Sequence, residues 1–196
     1  MKFLLKYFAF FLIAMLAVRP AAANVMQSEI LGVKWGTDIS VLKDFEKLWQ
    51  KDNVSFYLKP GVNHTIYEIQ VPGVVYGFYS GKFFAAYAKI DDPAVFSRLK
   101  SELTAQYGDP KITQTMKNEQ RIFAWKEGNI KIKLKHYQQD GKMKLAFYYM
   151  PLSETVNETQ QEALQEKTWT LFPIEKGKTP ENLRPEDLPS IPILRF

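Results

Sequence analysis

Cysteine is absent from the chain of 196 residues. That removes any disulfide framework, thiol nucleophile or lipid-bearing cysteine, and leaves packing to supply stability. Histidine is nearly absent as well, with His64 and His136 alone. No serine or carboxylate motif surrounds either one. His136 falls on the apolar side of a predicted strand, as a structural histidine would, and His64 lies by a turn. No His/Asp/Glu spacing suits a metal, and neither a phosphate-binding glycine loop nor G-x-S-x-G occurs. Asp91-Asp92 resembles a carboxylate pair, but helix capping accounts for Asp92. The sequence therefore predicts no catalytic residue, no metal, no cofactor and no enzyme.

What is present begins with an address. Lys2 and Lys6 precede an uninterrupted apolar run from Tyr7 to Val18, followed by Pro20 and Ala21-Ala22-Ala23 before Asn24. A basic start, a short apolar core and small residues make a cleaved signal peptide over 1–23. The run is too short to cross a bilayer comfortably. Its removal takes Lys2, Lys6 and Arg19 and no acid, so the net charge of +5 falls to +2. Nucleic acid is then a poor partner, and a periplasmic or secreted location is expected.

Residues 24–150 suit one α+β domain, and residues 151–196 a polar helix followed by a proline-rich arm. Thr37 is a candidate cap for a helix over Asp38–Gln50, whose Val41, Leu42, Phe45, Leu48 and Trp49 recur at helical spacing. Asp92-Pro93 opens a second helix and Gly108-Asp109-Pro110 closes it, with Phe96, Leu99 and Leu103 as its apolar stripe. Strands are predicted at Val54–Leu58, Thr65–Val71, Ile112–Met116, Arg121–Trp125, Ile130–Tyr137 and Lys142–Met150. The expected fold is an antiparallel sheet with two main helices on one face, built from two loosely repeated helix-plus-strands halves, plus the extended arm.

Two surfaces stand out. Val74–Ile90 is an aromatic hairpin about Ser80-Gly81, and a two-residue turn puts Val74, Tyr76, Phe78, Phe83, Ala85 and Tyr87 on one face. That face needs a cover, and the apolar arm is the one uncommitted stretch able to provide it; otherwise a partner does. A second hairpin about Asp140-Gly141 collects Lys131, Lys133, Lys135, Lys142 and Lys144 on one side, with Lys133 facing Tyr148 and Lys144 facing Tyr137. Residues 111–144 hold nine Lys or Arg against three acids. The bland interpretation is a solvated sheet face; the functional one is a contact surface for an anionic partner. The candidate contact residues are thus these five lysines with Tyr137, Tyr148, Tyr76, Phe78, Phe83 and Tyr87.

The motifs Gly32-Val33-Lys34-Trp35-Gly36-Thr37, Phe78-Tyr79-Ser80-Gly81-Lys82-Phe83 and Tyr107-Gly108-Asp109-Pro110 resemble those of uncharacterised small exported proteobacterial α+β proteins. The halves also resemble, more distantly, the tandem folds of β-lactamase-inhibitor-like proteins and small outer-membrane-assembly lipoproteins. Those resemblances imply protein binding rather than catalysis, although the chain lacks the lipoproteins' anchoring cysteine.

The function expected is a non-catalytic envelope protein that binds another protein or an anionic envelope component. A carrier with an apolar pocket between sheet and helices is the alternative, and an enzyme of unrecognised type comes third. The expected partners are an envelope protein or anionic envelope polymer, without nucleic acid or a mature transmembrane segment. The oligomeric state is open.

Overall fold

A computed structural model describes residues 26–71, 73–115 and 120–156. The predicted signal, the polar helix beyond Val156 and the proline-rich arm lie outside them. The chain forms strands β1 (Glu29–Ile30), β2 (Val33–Lys34), β3 (Glu46–Lys51), β4 (Val54–Leu58), β5 (His64–Ile66), β6 (Ile69–Val71), β7 (Val74–Tyr79) and β8 (Lys82–Ile90). Helix α1 (Pro93–Tyr107) follows, then β9 (Lys111–Thr115), β10 (Gln120–Glu127), β11 (Ile130–Tyr137), β12 (Met143–Tyr149) and the short α2 (Met150–Ser153). Eight strands make one antiparallel sheet in the order β3-β4-β7-β8-β12-β11-β10-β9, and β1-β2 and β5-β6 are two small hairpins. The antiparallel sheet is as expected.

The expectation of two main helices fails over Asp38–Gln50. A short 3-10 turn at Ile39–Val41, capped by Asp38, gives way to β3. Asp44 takes a positive φ of 64°, which interrupts any helix there. Val41, counted on the buried stripe, is 69% exposed. Trp49, at the end of the stretch, instead serves cross-strand packing, pairing with Phe56 and stacking on its ring at 5.7 Å. Tertiary pairing overrides the periodicity.

Helix α1 forms as its punctuation predicts. Asp92 accepts a hydrogen bond from the Ala94 N–H at 2.7 Å, Pro93 occupies the first turn, and Gly108 ends the helix at φ 79°. Leu99 and Leu103 are fully buried against one face of the sheet, and Trp125 on β10 donates its indole N–H to the Gly108 carbonyl at 2.9 Å. That bond pins the helix end to the sheet.

The central hairpin departs from its predicted register through a bulge. Ser80 and Gly81 both take positive φ, and Tyr79–Lys82 and Phe78–Phe83 pair as the turn requires. Gly77 then pairs with Ala85, so that Phe84 is the extra residue. Beyond it every side chain changes face. Ala86, Ala88 and Ile90 join Val74, Tyr76, Phe78 and Phe83 in the core on the face that carries α1, whereas Ala85 and Tyr87 join Val75, Phe84 and Phe56 on the opposite face.

The arm expected to cover the aromatic face lies outside the described residues, and among those the entry segment packs on it. Trp35 stacks parallel on Phe83 at 4.8 Å, and Phe45 meets Tyr76 edge-on at 5.0 Å. Gly36 and Thr37 are hydrogen-bonded to Phe83, and Ile39 to Gly81, which fixes this entry segment along β8. Among the described residues, the chain between β2 and β3 thus lies over the aromatic side chains.

Candidate anion-binding groove

The eleven candidate contact residues do not form one free surface. Tyr76, Phe78 and Phe83 lie in the core under Trp35 and Phe45, and Tyr87 and Tyr148 are buried on the opposite face. The loop of the β11–β12 hairpin is Gln138–Gly141, with the Tyr137 N–H donating to the Lys142 carbonyl at 2.8 Å. Two more residues in the loop shift the pairing by two, which keeps each residue's face but changes its opposite number. Lys133 pairs with Ala146, and Lys135 sits directly across from Lys144.

Those last two lysines are 1% and 0% exposed, so the predicted solvated or contact face does not include them. Burial lowers the Lys144 pKa to about 7. Burial, then repulsion from Lys144, Lys133 and Lys131, holds Lys135 well below the usual lysine range. Lys133, half-buried with its ammonium 5.4 Å over Tyr148, is lowered to about 8, chiefly by burial. Lys144 lies 5.5 Å over Tyr87. Lys131 and Lys142 are exposed, and Lys142 is paired with Asp140 at 2.7 Å; Tyr137 is half-buried. His64 is buried 3.5 Å from the Tyr76 hydroxyl, and burial lowers its pKa.

A different set of residues builds an open groove of about 710 Å³ between α1 and the strands β10 and β11. Arg121 and His136 are cross-strand partners. Phe123, two residues along β10 from Arg121, is buried under the helix and meets Phe96 of α1 at 6.1 Å. Phe96 also touches His136, with ring centroids 5.8 Å apart. Lys100 from α1 places its ammonium 4.7 Å from the Phe123 ring centre, and the Arg121 guanidinium lies 5.1 Å from the same centre. The two cations are therefore within about 10 Å of each other.

Ser97, Ser101 and Thr104 line the helix side of this groove with Lys100, at the i, i+3, i+4, i+7 spacing of one helical stripe. No carboxylate is among the lining residues. Among the described residues, neither Lys100 nor Arg121 enters an ion pair. Two cations, an imidazole and three hydroxyls around a buried aromatic floor make a surface with donors in excess and, among the described residues, no counter-charge.

Of this groove the sequence singled out only His136 as a residue for chemistry. The signal that could have found the rest is the hydroxyl-and-lysine stripe beside the apolar stripe of α1, set against the basic strand opening at Arg121. No protein-family model matches the chain, and no curated protein or solved structure matches it either. No three His, Cys, Asp or Glu side chains that could hold a metal cluster among the described residues. No helix among them is long and apolar enough to cross a membrane.

Proposed function

We propose that the chain is an exported, non-catalytic binding protein that recognises an anionic component of the cell envelope through the groove between α1 and β10–β11. The observation that carries this reading is the placement of Lys100 and Arg121 on one Phe123 ring, with no carboxylate in the lining. Like charges held together without a counter-ion favour an anionic ligand. Residues 1–23 act as the cleaved signal, and the mature protein is periplasmic or secreted.

The test compares the wild-type protein with two double variants, Lys100→Ala/Arg121→Ala and Lys131→Ala/Lys142→Ala, on an immobilised anionic polysaccharide at rising salt. Loss of retention in the groove variant alone supports the reading. Equal retention of the groove variant and the wild type removes it. N-terminal sequencing of the exported protein is expected to begin at Asn24.

A further inference from the structure

We infer that the ligand of this groove presents a phosphoryl dianion, a phosphate monoester group, in preference to a carboxylate. The inference rests on reading the groove as an anion site and names the chemistry that fits it. Lys100 and Arg121 supply two positive charges, which a dianion matches and a carboxylate leaves in excess.

Donor number points the same way. Ser97, Ser101 and Thr104 offer three hydroxyls along one stripe of α1 beside the two cations. A terminal phosphoryl group has three acceptor oxygens, whereas a carboxylate has two. A guanidinium resting on a ring keeps its N–H donors about its rim, free for oxygen, and its planar fork suits phosphoryl geometry. The groove of about 710 Å³ is far larger than an inorganic phosphate and leaves room for the body that carries the group. Phe96 and Ala105 give that body a carbon wall.

The group could reach the groove on a soluble phosphorylated metabolite or on a phosphorylated lipid headgroup, and two arms of one experiment separate these sources. The isotope-labelled full chain is titrated at pH 7.5 with glycerol phosphate and with acetate, following the amides of Ser97, Ser101 and Thr104 and the Phe123 ring by NMR. Sedimentation with vesicles containing phosphatidic acid, against pure phosphatidylcholine, forms the second arm. Glycerol phosphate is expected to shift those resonances with an affinity at least tenfold above that of acetate. Arg121→Ala and Lys100→Ala each lower it tenfold or more, and Arg121→Lys restores part. Binding in solution assigns a soluble source, and sedimentation with phosphatidic acid alone assigns a lipid; either upholds the phosphoryl group. Acetate binding as tightly as glycerol phosphate at the same residues overturns the phosphoryl assignment and leaves an anion groove. If neither anion shifts the groove and neither vesicle is bound, both readings fall.

Discussion

Lys135 and Lys144 stand directly opposite each other on β11 and β12, and both are buried. Such a pair couples folding to proton release, because the folded state favours the neutral amine while the unfolded chain holds the proton up to about pH 10.4. Lys144, lowered to about 7, binds fewer protons folded than unfolded between that value and the ordinary lysine pKa. Stability is therefore expected to rise with pH across that window, at up to about 1.4 kcal/mol per pH unit for one lysine. Urea unfolding from pH 7 to pH 9 measures the slope, and Lys144→Met is expected to flatten it. A variant that keeps the full wild-type slope would count against the assignment.

Gly77 is required by the bulge opposite it. A Cβ there would lie 3.2 Å from the Phe84 ring, 3.3 Å from Phe56 and 3.4 Å from the Ala85 methyl. The two buried rings would have to give way slightly, while the Ala85 methyl would be in ordinary contact. Gly77→Ala is expected to destabilise by about 1–3 kcal/mol through overpacking. Gly73 has no atom within 4 Å of its own built Cβ, so Gly73→Ala is expected to leave the urea midpoint unchanged or raise it slightly.

The lid on the aromatic core is local enough to be tested by one residue. Trp35 stacks on Phe83 and lies 5.9 Å from Tyr149, while its indole N–H donates to the Met26 carbonyl at 3.0 Å. Trp35→Ala is expected to cost about 3 kcal/mol, at the low end for loss of a large aromatic because the ring is half-buried. Increased binding of a hydrophobic dye, with far-ultraviolet dichroism retained, is the accompanying sign that Phe83 has been uncovered. An unchanged dye signal would show that another segment covers the ring.

Asp92 connects stability to the groove. Its carboxylate caps the helix that carries Ser97, Lys100, Ser101 and Thr104. Asp92→Ala is expected to cost about 1 kcal/mol, and Asp92→Asn much less. Thermal unfolding ranks the two variants. Anion affinity is expected to drop modestly in the alanine variant, since the first turn frays, and to survive in the asparagine one.

Most strands were legible because their signals are local. Val54–Leu58 and Ile130–Tyr137 begin and end where the sequence pattern places them, and α1 is delimited by Asp92-Pro93 and Gly108. Errors arose where a nonlocal contact decides. The stretch Asp38–Gln50 carries helical spacing, yet Trp49 is claimed by Phe56, and a positive φ at Asp44 breaks the run. One extra residue at Phe84 moved Tyr87 and Ala85 to the other face, and a longer loop set Lys135 against Lys144. The tight approach at Gly77 belongs to an assembled sheet, and no window of sequence contains it. The groove escaped for a related reason: Lys100 and Arg121 meet on Phe123 only once α1 lies across β10, and on a lone helix the serine-and-lysine stripe looks solvated.

The seam between β8 and β12 sets the order in which the molecule can assemble. Its partners, from Ile90 with Met143 to Ala85 with Tyr148, lie 53 to 63 residues apart along the chain. The pairs β3-β4, β7-β8, β10-β11 and β11-β12 are each closed by a short turn. Short closures form in microseconds, whereas ordering a loop of that length must precede any gain from joining the seam. Two meanders that form quickly and dock slowly give a late, entropy-limited step. Mutations along Ala86–Ile90 should therefore slow folding more than equally destabilising ones in the outer strands.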